Sequence, residues 1–152
     1  YSLAQIDKAR ARRSMYYQKF LTTEDIFIPG VEKTLSYLSK FFKMSIITTS
    51  RRVDFELIHK EKNLTRYMDF ILCEEDYPRA KPYPDPYLKG LSLFDASTEE
   101  TLVIEDSQRG LQAAYSAGIE CVVVHNDFTQ KHDFSKASFR IETLNELVDL
   151  LL

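Results

Sequence analysis

From residue 28 onward the sequence keeps changing its hydrophobic period: short, nearly unbroken apolar runs alternate with segments whose apolar residues recur every three or four positions. An unbroken apolar run suits a strand covered on both faces, and an i, i+3, i+4 stripe suits a helix that covers it. Val31, Leu35, Leu38 and Phe42 form one such stripe, which leads into the β-branched run at 44–49. A second helix is predicted over 53–62, a short strand at 70–73, and a helix over 84–94 that opens on proline. A strand at 102–104 follows, then a helix over 107–117 stopped by Gly118, a strand at 121–124 and a less apolar one at 138–141. Leu144, Leu147, Val148 and Leu151 mark a closing helix. Buried strands separated by helical crossovers predict an α/β domain, with a parallel sheet and helices on both faces.

The first stretch is different. Residues 3–21 favour helix, with Leu3, Ile6, Tyr17 and Phe20 loosely on one side and Lys8, Arg10, Arg12 and Arg13 clustered in the middle. Pro29-Gly30 then breaks the run, so the chain divides into a helix with its linker (1–27) and an α/β unit (28–152). A chain of 152 residues can bury roughly 70% of its unfolded surface, enough for a core without covalent staples. The net charge of -3 offers no basic excess to hold a nucleic acid. Cys73 and Cys121 each lie in an apolar run and read as reduced, buried thiols, which points to the cytoplasm. No apolar stretch approaches the roughly 20 residues that span a bilayer, and no membrane association is expected. The first residue is Tyr1 rather than methionine, and the expectation is of a chain trimmed from something longer.

In open parallel sheets, ligands gather at the carboxyl ends of the strands. Thr48-Thr49-Ser50-Arg51-Arg52 follows the first strand, a hydroxyl cluster and two guanidinium groups able to donate to phosphate oxygens; the plainer alternative is a turn in which Thr49 or Ser50 caps the next helix. Lys81 lies in Ala80-Lys81-Pro82-Tyr83-Pro84-Asp85-Pro86-Tyr87, where the prolines stiffen the backbone and can aim one charge at a fixed point; most lysines, however, are solvated. Glu105-Asp106 stands at a strand-to-helix junction, where adjacent carboxylates can hold a hard cation or where Asp106 or Ser107 can simply cap the helix. His59, His125 and His132 have no metal-ligand spacing; His125, which follows a strand, is the one expected to border a site.

Together these segments resemble the haloacid dehalogenase-like superfamily, in its phosphoglycolate phosphatase and β-phosphoglucomutase branch. Ile46-Ile47-Thr48-Thr49-Ser50 is similar to that family's second motif, Lys81-Pro82-Tyr83-Pro84-Asp85 to the third, and Val103-Ile104-Glu105-Asp106-Ser107-Gln108-Arg109-Gly110 to the fourth. The resemblance covers residues 28–152 and implies a Rossmann-like core, with residues 3–21 as the last helix of a helical cap. It also implies a magnesium-dependent phosphohydrolase of a small phosphorylated metabolite, acting through an aspartyl phosphate. Thr48 would donate its hydroxyl to the phosphoryl group, the amide of Thr49 would assist, and Lys81 would bridge phosphate and nucleophile. Asp106 would bind Mg2+ directly, with Glu105 as a further ligand or as a partner behind it.

One part of the pattern has no counterpart. The family's first motif is a central strand ending in Asp-x-Asp, and no such strand precedes residue 28; Asp7 and Asp25 are single and lack an apolar lead-in. The strands at 44–49 and 102–104 should therefore flank a space filled by a separate N-terminal segment, or else close on each other. Without the nucleophile the chain alone is expected to be inactive. A phosphomutase of the same family, or a non-catalytic phosphate-binding or regulatory module, remains an alternative.

Overall fold

The strands run parallel but fall into two ladders. The computed structural model describes residues 2–24, 26–60 and 63–152. In chain order the elements are α1 (Leu3–Thr23), α2 (Val31–Leu38), β1 (Ser45–Ile47), α3 (Arg52–His59), β2 (Phe70–Leu72) and α4 (Asp85–Phe94), followed by β3 (Leu102–Glu105), α5 (Gln108–Ala117), β4 (Glu120–Val124), β5 (Phe139–Ile141) and α6 (Glu146–Leu151). Single 3-10 turns at Leu64–Tyr67 and Glu74–Asp76 flank β2. β1 pairs with β2, placing Ile46 opposite Ile71. β3 pairs with β4 and β4 with β5, placing Val103 opposite Cys121 and Val123 opposite Arg140. The predicted α/β architecture is the observed one, with strand ends shifted by a residue or two; Asp25, Glu61 and Lys62 lie outside the described residues.

β4 explains why the larger ladder holds. Val122 and Val123 are fully buried and point to opposite faces of the sheet, so each anchors a different core. On one face Val123, Val103 and Cys121 pack with Leu111, Ala113 and Ala114 of α5 and Tyr87 of α4. On the other, Val122 and Ile141 pack with Leu38 of α2 and Leu147 of α6. Helices thus cover both faces. Gly118, at φ +75°, ends α5 in the left-handed conformation that a residue without a Cβ adopts at little cost.

Both cores reach across from one ladder to the other. Ile47 of β1 packs against the Val103 and Cys121 cluster, and Met44, just before β1, packs against the Val122 and Ile141 cluster, as Leu102 of β3 does. β1 and β3 are therefore neighbours in space, yet no ladder joins them among the described residues. The backbone shows which way β1 faces. Thr48 N donates to Leu72 O at 2.9 Å and Asp69 N to Met44 O at 2.7 Å, so positions 44 and 48 turn toward β2. Ser45 and Ile47, at alternate positions, turn their amides and carbonyls the other way, toward β3. Side-chain exposure agrees: every residue of β1 is only half-buried, and Ile104 in β3 is 37% exposed. Among the described residues the two strands share no ladder, and the edges they turn toward each other are left without strand pairing there.

The N-terminal helix starts on a capping box between Ser2 and Gln5. It lies against α3, where Gln18 Nε2 donates to Asp54 at 2.9 Å, but buries no residue fully. Leu3 and Phe20, on its predicted apolar side, stand exposed.

Candidate active site

Where β1 and β3 end, one cation joins them. Lys81 Nζ donates to the carbonyl of Ile47 at 2.9 Å and to Glu105 Oε1 at 2.5 Å, and both side chains are nearly buried, 11% and 7% exposed. The lysine is not the solvated surface group that its type usually is. Its loop is fixed from behind, where Arg109 on α5 donates to the carbonyl of Lys81. The Lys81–Pro82 peptide is cis.

Glu105 is surrounded by donors. Oε1 accepts from Lys81 and from the Tyr87 hydroxyl at 2.5 Å, and Oε2 from Ser107 Oγ at 3.2 Å and the Asp106 amide at 3.3 Å. An ionised carboxylate has about four lone-pair positions, so these donors leave little of it for another ligand. Asp106, by contrast, is exposed and, among the described residues, accepts a single long bond, 3.4 Å, from Asn126 Nδ2. Ser107 caps α5 by accepting from the Gly110 amide at 3.1 Å, so the capping alternative holds for Ser107 and not for Asp106.

Gly110 leaves room for this arrangement. A Cβ there would collide with the Glu105 carboxylate. Gly110→Ala is expected to displace Glu105 from Lys81 and to destabilise the fold by about 1–3 kcal/mol, the usual cost of overpacking. Urea unfolding measures it, and an unchanged midpoint would contradict the close packing.

At the end of β1, Thr48 Oγ1 accepts from the Ser50 amide at 3.1 Å, which leaves the hydroxyl proton free to donate outward. Tyr77 donates its hydroxyl to the carbonyl of Thr48 at 2.6 Å; burial pushes the phenol up to about 12, so it remains a donor. Thr49 is exposed. Neither Thr49 nor Ser50 caps α3, whose first amide, that of Arg52, is met instead by Glu75 at 3.1 Å. The two guanidinium groups, able in principle to donate to phosphate, are engaged elsewhere. Arg51 is paired with the buried Asp54 at 2.8 Å, and Arg52 with Asp76 at 2.5 Å, a hydrogen bond that raises the pKa of Arg52.

Of the residues singled out in the sequence, Lys81 and Glu105 meet directly, with Thr48 and Asp106 adjoining the same strand ends. Tyr87, Tyr77 and Asn126 were given no role there. A buried tyrosine needs a partner for its hydroxyl, and that was the available signal for Tyr87. Burial, followed by the charge of Glu105, raises the Tyr87 pKa, and the same two causes push the Cys121 thiol up to about 12. His125 lines a separate cavity of about 200 Å³ with Gln130, Phe134 and Arg140, while His132 accepts from the Gln108 amide at 3.3 Å.

A sequence model described as haloacid dehalogenase-like hydrolase matches residues 2–124. The pyrophosphatase PpaX of Bacillus mycoides is 34% identical over 95 residues, which make up 62% of this chain and 44% of that protein. Protein CbbY of Rhodobacter capsulatus is 26% identical over 147 residues, 94% of this chain and 64% of that protein. In both cases the chain spans less than two thirds of the curated relative's length. The crystal structure of CbbY from Rhodobacter sphaeroides in complex with phosphate has the same fold, with a TM-score of 0.80 at 24% identity over 97% of this chain and 66% of that one.

Proposed function

The chain belongs to the haloacid dehalogenase-like hydrolase family, and we propose that it forms the larger part of a magnesium-dependent phosphohydrolase of a small phosphorylated metabolite. The observation that carries this reading is the Lys81 ammonium, fixed between the ends of β1 and β3 where Thr48 and Asp106 also stand. Phosphoryl transfer needs positioning and charge neutralisation more than covalent help from the protein. Thr48 donates its hydroxyl to a phosphoryl oxygen, the amide of Thr49 assists, and Lys81 places a positive charge against the transferring group.

The acids fit a hard cation in a limited way. Mg2+ commonly takes one or two protein carboxylates and completes its shell with water and substrate phosphate. Asp106 suits that role, being exposed at a strand end, while Glu105 acts from behind through Lys81. Among the described residues no three His, Cys, Asp or Glu side chains gather to hold a metal by themselves. Once bound, the ion would neutralise charge on the phosphoryl oxygens. The attacking carboxylate, which forms the aspartyl phosphate, comes from an Asp-x-Asp strand seated between β1 and β3 and carried by a further segment or a separate polypeptide.

Inorganic phosphate with magnesium, titrated into the isotopically labelled chain, tests the binding half of this reading. The amides of Thr48, Thr49, Lys81 and Asp106 are expected to shift together. Thr48→Val is expected to weaken binding by about tenfold, the value of a hydrogen bond to a charged group. Shifts confined to other residues would defeat the assignment.

A further inference from the structure

We propose that Tyr87 is a positioning residue that holds Lys81 and Glu105 together as one rigid pair. Its purpose rests on the phosphohydrolase reading; its geometry does not. One side chain makes both contacts. The ring lies beneath the ammonium, 4.8 Å from Nζ to the centroid, and the hydroxyl donates at 2.5 Å to Glu105 Oε1, the same oxygen that accepts from Lys81.

The tyrosine is itself immobile. It is 6% exposed and packs among Val103, Leu111 and Cys121, so its ring is held by the core that α4 and α5 share with β3 and β4. A cation over a desolvated ring is held more strongly than at a wet surface. A lysine has a long, flexible stem, and a charge that must stay between two strand ends needs restraint on more than one side. Ile47 and Glu105 restrain the ammonium by hydrogen bonds, and Tyr87 adds a floor beneath it. At the same time the hydroxyl limits the rotation of Glu105, whose other oxygen is held by Ser107.

A tyrosine needed only for packing would be replaced by phenylalanine without consequence, because the two fill nearly the same space. The hydroxyl is the part that reaches Glu105. The rate at which the Lys81 ammonium protons exchange with water therefore separates packing from positioning. The uniformly labelled chain is examined by lysine-selective proton–nitrogen correlation, alone and with Tyr87→Phe or Tyr87→Leu.

In the parent chain the Lys81 ammonium is expected as a slowly exchanging signal. Tyr87→Phe should speed its exchange by about fivefold, the factor that one ordinary hydrogen bond is worth, and Tyr87→Leu should speed it further. The urea midpoint of Tyr87→Phe is measured alongside, so that loosening at Lys81 is not mistaken for general unfolding. A second observation needs no variant: the Tyr87 hydroxyl proton should itself exchange slowly and show a nuclear Overhauser contact to the Lys81 ε-methylene. An unobservable Lys81 ammonium in the parent chain, or an exchange rate equal in parent and Tyr87→Phe, overturns the proposal. None of these readouts requires phosphate binding or turnover, so a failure here leaves the phosphohydrolase reading standing, and the reverse.

Discussion

Given magnesium and p-nitrophenyl phosphate, the chain on its own is expected to release no phosphate above the buffer blank. Thr48, Lys81 and Asp106 can position and neutralise, but an aspartyl phosphate needs a carboxylate that attacks in line, and no candidate in the described residues is placed to do so. Asp7 sits on the exposed helix α1, 3.7 Å from Arg10. Asp54 is buried and committed to Arg51 and Gln18. A polypeptide carrying an apolar strand that ends in Asp-x-Asp should insert between β1 and β3, pair with their facing edges, and switch on hydrolysis. The gain should be on the order of 10⁶-fold, in line with what removing a nucleophile costs other enzymes. Colorimetric phosphate release with and without the added strand measures it. Magnesium-dependent turnover by the chain alone, lost in Asp106→Asn, would show that the nucleophile lies within these residues after all.

The second large effect is on stability. Lys81→Met should destabilise the fold by about 3–5 kcal/mol, because it leaves the Glu105 carboxylate buried without its counter-charge. Both side chains are little exposed, so solvent offers small relief. Lys81→Met/Glu105→Gln should recover most of that loss, since the single oxygen of a neutral amide can still accept from Tyr87 and its NH2 can donate to Ser107 Oγ, while no charge remains to be desolvated. Urea unfolding of the two single variants and the double one measures the coupling. If the losses simply add, the pair is not a unit.

How much of this was legible in the sequence depends on whether a signal was local. The strands could be read because a run such as Glu120–Val124 is apolar almost throughout, and the turn at Gly118 because φ +75° has few other tenants. The cluster at Glu105-Asp106-Ser107 could be read as a site, but not how its members divide the work. That division depends on Tyr87 and Lys81, 18 and 24 positions away. The diversion of Arg52 was hidden for the same reason, since Asp76 is 24 positions off, whereas Arg51 and Asp54 are one helical turn apart and could have been paired by inspection. The stripe on α1 was visible, yet periodicity indicates a face that can be covered and not what covers it.

Leu38, 4% exposed, is buried not by its sequence neighbours but by Val122, Ile141 and Leu147. The same helix is latched one turn earlier, where Thr34 donates to Asn145 across 111 positions. On a ribosome, α2 is therefore made long before the surface it packs against exists. While residues 39–140 are being added, at the usual 5–20 residues per second, its apolar face waits uncovered for several seconds or more. The nascent first half is then a client for chaperones that shield such faces, and release before β4 is made would leave a product without any of the residues that cover Leu38.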